Sequence, residues 1–225
     1  MLPPVLLTLV FLVLLLLAEQ RGSLRGKWLT KPVASAGFLW LALAQGAMHS
    51  AYGRAVLVAL LLSFLGDVLL IPKDKRIFLA GLVSFLLGHV AFGAAFLLRG
   101  VAPPPALIAA ALLAPGVLWV ALWLRPHLKG AMRIAVAAYV LVISAMVALA
   151  AGTFGHTFDP RILVGAILFF LSDLFVARNR FVAPGFINRL LGLPPYYAAQ
   201  LLLAASVDQA LFGPLVVPGL GVGGL

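Results

Sequence analysis

The sequence predicts an all-α, polytopic transmembrane bundle of about eight helices with both termini on the non-cytoplasmic side. Three observations predict it. Hydrophobic residues make up 64% of the 225 and charged residues only 10%, with a mean hydropathy of +1.17. A soluble domain averages about half apolar and about a quarter charged, so lipid must solvate most of this surface. The apolar residues also fall into runs of near-spanning length, and the basic residues alternate from loop to loop.

Crossing about 30 Å of hydrocarbon takes ~20 helical residues. Eight runs approach that length: 2–18, 31–48, 54–71, 76–98, 104–124, 132–151, 161–178 and 192–211. They are separated by Gly, Pro or charge, as at Arg21-Gly22, Pro72-Lys73-Asp74-Lys75, Pro103-Pro104-Pro105, Pro126-His127, Asp159-Pro160, Pro184-Gly185 and Pro194-Pro195, which are ordinary helix stops. The first run has no basic stretch before it and no small-residue cleavage site after it. Arg21, Arg25 and Lys27 follow it instead, so it reads as a retained helix. Residues 1–212 form one domain, and the Gly/Pro-rich tail 213–225 is expected to be unstructured.

Of the 16 Lys and Arg, 13 fall in odd-numbered loops. Arg21, Arg25, Lys27 and Lys31 are in the first, Lys73, Lys75 and Arg76 in the third, Arg125, Lys129 and Arg133 in the fifth, and Arg178, Arg180 and Arg189 in the seventh. The even loops hold Arg54, Arg99 and Arg161. The positive-inside rule therefore puts the odd loops in the cytoplasm. The net charge of +10 is explained by these clusters, and a nucleic-acid partner is excluded. No protein partner is predicted. Trp28, Trp40, Trp119 and Trp123 stand near run ends, where interfacial anchoring accounts for them. There is no cysteine, so disulfides and thiolate metal sites are ruled out.

A charge at mid-membrane costs about 2.5–3.5 kcal/mol on insertion scales, so intramembrane acids are functional candidates. Of the six acids, Glu19, Asp74 and Asp159 lie in loops or at helix ends, where solvation is expected, and Asp208 lies near the outer end of the eighth run. Asp67 and Asp173 remain. Asp67 is five residues before Pro72, and Asp173 is five before Arg178, so each is expected about 7–8 Å from its cytoplasmic helix end. At that shared depth they face each other if their helices are neighbours. Both segments read apolar-Phe-Leu-small-Asp-apolar, a hint that a unit of four helices was duplicated.

Other polar residues reach the same layer. Lys31 opens the second run. Tyr196 and Gln200 share a face one turn apart at the start of the eighth, with Tyr197 beside them; an aromatic belt explains the tyrosines, while a buried amide needs a partner. His89 in the fourth run is expected about 10 Å deeper than the acids, as a hydrogen-bonded core residue or the floor of a pocket. His49, His127 and His156 lie elsewhere, so no metal site is predicted. No nucleophile elbow or phosphate-cradling loop is present.

Two carboxylates in a low-dielectric pocket hold one proton between them, one acting as acid and the other as base. Such a pair can protonate an acetal or enol ether and stabilise the oxocarbenium-like state that follows. It would equally suit a proton-coupled small-molecule or lipid transporter, and the residues leave both readings open. The outer half, poor in polar groups in this reading, leans toward a one-sided lipid enzyme.

The chain resembles the lysoplasmalogenase-like (YhhN-type) membrane family. The likeness is carried, in family order, by Thr30-Lys31-Pro32, Ser63 to Asp67, Phe78 to His89, Tyr139 to Met146, Gly165 to Asp173, and Tyr196 to Gln200. Phe92 stands where that family's pattern has Tyr. The resemblance implies an integral protein of a bacterial inner membrane that cleaves the vinyl ether of a lysophospholipid, the lysoplasmalogen, without a cofactor, with its site toward the cytoplasmic leaflet. Asp67 and Asp173 would then be catalytic. Lys31 would meet the lipid phosphate, Tyr196, Tyr197 and Gln200 would orient the glycerol and water, and His89, Ser63 and Ser172 would complete the substrate-binding set.

The chain's lack of cysteine makes the orientation directly testable. His127→Cys should react with a membrane-impermeant maleimide only after cells are permeabilised, and His49→Cys should react in intact cells. The reverse pattern would overturn the assignment.

Overall fold

The computed structural model describes residues 2–72 and 74–208. It contains eight α-helices: α1 (Leu2–Gln20), α2 (Leu24–Ala44), α3 (Ala51–Leu69), α4 (Lys75–Arg99), α5 (Pro103–Leu124), α6 (Ala131–Thr157), α7 (Pro160–Ala177) and α8 (Phe186–Ala205). The expected tail, and the part of the eighth run beyond Asp208, lie outside the described residues. Six helices are long and apolar enough to span a membrane. The other two, α2 and α8, match them in length but carry the polar residues described below.

Several boundaries differ from the sequence expectation, each for a local reason. α2 starts at Leu24, not at residue 31, because the Ser23 side chain caps it by accepting from the Gly26 amide. Lys31 is therefore inside the helix, and the first basic loop shrinks to three residues. Pro32 is accommodated within α2, and Pro194-Pro195 within α8, which begins at Phe186, not at residue 192. Membrane helices tolerate such prolines where neighbours satisfy the freed carbonyls. α7 continues past Ala177 into a π-helical turn, Arg178–Val182, where a basic loop was expected.

The helices pair in sequence as hairpins, α1 with α2, α3 with α4, α5 with α6 and α7 with α8. The first four and the last four pack alike. α2 lies against α3 as α6 lies against α7, and α4 crosses to α6 as α8 crosses to α2. This supports the duplication hinted at by the two acidic segments. One equivalence is missing: α1 packs on α8, but α5 makes no comparable contact with α4. α5 leans mainly on α6, and Val120 and Leu124 join Leu128 and Val136 in a small second core that Leu174, Ala177 and Phe181 pack against, while Leu113 of α5 reaches the main core.

The end of the bundle carrying the odd loops is basic. The opposite end is closed by a buried ion cluster. Asp159, fully buried, is 2.8 Å from Arg161 and 3.3 Å from Arg99, and the Arg99 guanidinium lies 4.8 Å from the centre of the Tyr52 ring. Arg161 also donates to the carbonyls of Ala205 and Asp208. Two expectations are corrected here. Asp159 is ion-paired rather than solvated, and that half of the bundle is not poor in polar groups, since its loop residues fold inward onto one another.

Candidate functional site

Each intramembrane acid draws its partners from two other helices. Asp67 on α3 is 2% exposed. Lys31 of α2 reaches it with its ammonium 3.0 Å from Oδ1 and also donates to the Asp67 carbonyl at 3.1 Å. Ser35, one turn along the same face of α2, donates to Oδ2 at 2.7 Å, and Tyr196 of α8 donates to that oxygen at 2.6 Å. Tyr197 backs the arrangement, with its hydroxyl 3.1 Å from Ser35. Both Asp67 oxygens are thus occupied by donors, as a buried carboxyl group requires.

Asp173 on α7 has a different environment. Tyr139 of α6 donates to Oδ2 at 2.7 Å, and His89 Nε2 of α4 lies 3.0 Å from the same oxygen and 2.9 Å from the Tyr139 hydroxyl. Oδ1 has no hydrogen-bond partner among the described residues. The side chain keeps 14% exposure, against 2% for Asp67. His89 is fully buried, and its Nδ1 is unpartnered among the described residues.

Both acids line one chamber of ≈ 40 Å³, with Lys31, Tyr139, Ser172 and Tyr196, room enough for water. Glycine sets part of its wall. A Cβ on Gly66, beside Asp67, would fall 2.6 Å from the Phe85 ring. That ring meets Tyr196 edge-on at 5.9 Å and Phe169 at 6.2 Å, which holds the Tyr196 hydroxyl on Asp67.

The chamber is continuous with two further features. Through Lys31, Leu70, Phe78 and Arg189 it joins a vestibule of ≈ 780 Å³ at the basic end, whose walls carry Glu19, Lys27 and Arg180. Through Phe78, Leu82, Tyr139 and Asp173 it joins an apolar cleft between α4, α5, α6 and α7. Phe78, at the junction of all three, is covered by the Arg180 guanidinium, 3.9 Å from its ring centre.

The sequence-derived candidates are placed unequally. Asp67, Asp173, Lys31, Tyr196 and Ser172 line the chamber. His89 is the hydrogen-bonded core residue that was one of its two expected readings, but it is not deeper than both acids: it touches Asp173, because α7 runs on through its π-helical turn and Asp173 sits farther from that end than expected. Ser63 faces away: it donates to Ala59 in its own helix and packs against Gly88. Tyr197 acts through Ser35 and the Lys31 carbonyl. Gln200 is fully buried outside the chamber, and its amide makes no hydrogen bond of good geometry among the described residues. The Lys31 ammonium is held by Asp67 rather than presented to the interface.

Ser35 and Tyr139 were not singled out from sequence. Ser35 was recoverable, since it stands four residues after Lys31 on one helical face. Tyr139 carried a weaker signal, as the first residue of a stretch that resembles the family, in an apolar run that also holds Ser144. Arg189 was read as a loop base because the prolines hid the true start of α8.

A polytopic helical bundle whose buried acids ring a chamber at the basic end defines an integral membrane protein with an intramembrane polar site. The chain belongs to the YhhN family, whose model matches residues 26–207. It is 34% identical to human lysoplasmalogenase TMEM86A over 161 residues, 69% of this chain and 65% of that protein. It is 34% identical to a lysoplasmalogenase of Mycobacterium tuberculosis over 212 residues, 88% of this chain and 78% of that one. Human lysoplasmalogenase TMEM86B is 36% identical over 174 residues, 76% of this chain and 69% of its own length. The chain thus spans slightly less than two thirds of TMEM86A. No solved structure matches it.

The Lys31–Asp67 pair makes a sharp prediction. Removing one member of a buried pair costs about 3–5 kcal/mol, whereas removing both is far milder. Lys31→Met should therefore destabilise the protein in detergent by about that much, and Lys31→Met/Asp67→Asn should recover most of the loss. Additive losses in denaturant titrations would show that the two do not interact.

Proposed function

We propose that this chain is a membrane-embedded ether hydrolase that cleaves the vinyl ether of lysoplasmalogens, alkenyl glycerophosphoethanolamine or glycerophosphocholine, to a fatty aldehyde and a glycerophospho-alcohol. The observation that carries the reading is the unequal partnering of two acids in one water-sized chamber set between a basic vestibule and an apolar cleft. The relatives named lysoplasmalogenase support the same substrate class.

In this reading Asp173 is the acid. Its Oδ2 accepts from Tyr139 and His89, so a carboxyl proton sits on Oδ1, which has no protein partner. Transfer of that proton to the vinyl carbon remote from oxygen leaves an oxocarbenium at the ether carbon. Asp67, held ionised by Lys31, Ser35 and Tyr196, stabilises this cation through its charge. Water in the chamber attacks the ether carbon and gives up a proton to Asp173, which restores the acid. The hemiacetal then collapses to aldehyde and alcohol. The lipid phosphate lies in the vestibule beside Lys27, Arg180 and Arg189, with Lys31 reserved for Asp67. By the positive-inside rule this end faces the cytoplasm.

The transporter alternative requires a polar path to the other end. Fully buried Phe38, Phe92, Phe96 and Leu203 form part of the main core, and Asp159 at the opposite end is paired with Arg99 and Arg161. Both features favour a one-sided enzyme.

The test is incubation of purified protein with a lysoplasmalogen and its saturated ether analogue, with and without chelator. Aldehyde should form from the first alone, whether or not chelator is present. A positioned general acid contributes about 10²–10⁴-fold, so Asp173→Asn should lose at least about 100-fold in kcat while remaining folded, and Asp67→Asn should also be inactive. Near-normal turnover by either folded variant would exclude the mechanism.

A further inference from the structure

We infer that the cleft between α4 and the α5–α6 hairpin is the slot for the substrate's hydrocarbon chain, entered sideways from the bilayer, and that Val140 and Leu174 in its walls set the accepted chain length. The inference rests on the hydrolase reading for the identity of the lipid, but its location follows from the fold.

The first observation is the broken equivalence between the two halves. α1 covers α8, whereas the corresponding helix α5 does not close on α4. The seam left open lies between the main core and the small α5–α6 core, and residues of both line it: Tyr139 and Ile143 from one, Val120, Leu124 and Val136 from the other. A second observation limits it along the membrane normal. Toward the opposite end α4 and α6 touch: Thr153 donates to the Phe96 carbonyl at 3.3 Å, and a Cβ on Gly93 would be 3.4 Å from Leu149. The helices are bridged again by His89 and Tyr139, 2.9 Å apart. The cleft therefore lies mainly on the basic-end side of that bridge, lined by Phe78, Leu82, Val136 and Val140, and reaches Ile143 one turn beyond Tyr139.

The third observation is chemical. Asp173 is the one charged side chain lining the cleft, at the point where cleft and chamber meet. A chain lying in the slot brings its first carbons beside Asp173 while the headgroup remains in the vestibule. A chain leaving lipid for apolar walls gains little from the hydrophobic effect, because lipid is as apolar as the walls. The slot thus works by shape: it aligns the vinyl carbon with the acid and excludes chains that do not fit.

The test uses Val140→Trp and Leu174→Trp, both at half-buried cleft positions, with Leu171→Trp on the exposed outer face of α7 as control. Long-chain and short-chain alkenyl glycerophosphoethanolamines are compared in nanodiscs. Overpacking the slot should reduce the long-to-short ratio of kcat/KM by about tenfold or more in the two cleft variants, with the short-chain rate showing that they are folded. An unchanged ratio, whether both rates fall together or neither does, would overturn the slot. If wild-type protein cleaves neither lipid, the hydrolase reading fails separately, and crosslinking of a lysophospholipid with a photoreactive chain decides the slot. Adducts on Val140 or Leu174 would support it, and adducts confined to outward residues such as Leu171 would refute it.

Discussion

A carboxylate inside a membrane must be paired, because moving an unpaired ion out of water costs several kcal/mol even after relaxation. This bundle surrounds each of its two inner acids with donors from equivalent helices. Each acid sits on the third helix of its half and is held by the second helix of that half and the fourth helix of the other. Lys31, Ser35 and Tyr196 serve Asp67, and Tyr139 and His89 serve Asp173. The pairings that make the acids tolerable also lock the two halves together, so the site is part of the fold's own cohesion.

Within that near-symmetry the two acids differ, and the proposed chemistry draws on the difference. One acid has three donors, one of them a formal cation, distributed over both oxygens. The other has two donors on a single oxygen and some exposure to the chamber. Equivalent backbone positions thus hold acids of different character, a division of labour between carboxylates that environment alone can impose. The same departure appears at larger scale, where α1 seals one flank and α5 leaves the other open beside the more exposed acid. The opposite end is tied shut by Asp159 and its two arginines, which leaves the basic end as the side where the chamber communicates.

Much of this was legible in the sequence, because hydrophobic runs and the alternation of bases report directly on lipid exposure and loop position. The number of helices and the placing of Asp67 and Asp173 within apolar runs rest on those signals, and the hint of duplication on the likeness of the two acidic segments. What was hidden depends on tertiary packing. Prolines that normally end helices are absorbed within α2 and α8, which displaced the apparent positions of Lys31 and Arg189. Depth measured by residue count failed for His89 because helix ends are not membrane boundaries. Ser63 sits one turn from Asp67 yet faces a neighbouring backbone, a distinction that needs the interface. Asp159 looked like a loop residue because nothing local shows that Arg99 folds over it.

The account turns on Asp173 carrying a proton while Asp67 is ionised. Infrared spectroscopy of the purified protein at neutral pH reads this through the carbonyl stretch of a protonated carboxylic acid. One such band should be present in the wild type, disappear in Asp173→Asn and persist in Asp67→Asn. Loss of the band in Asp67→Asn with retention in Asp173→Asn, or no protonated carboxyl at all in the wild type, would contradict the assignment.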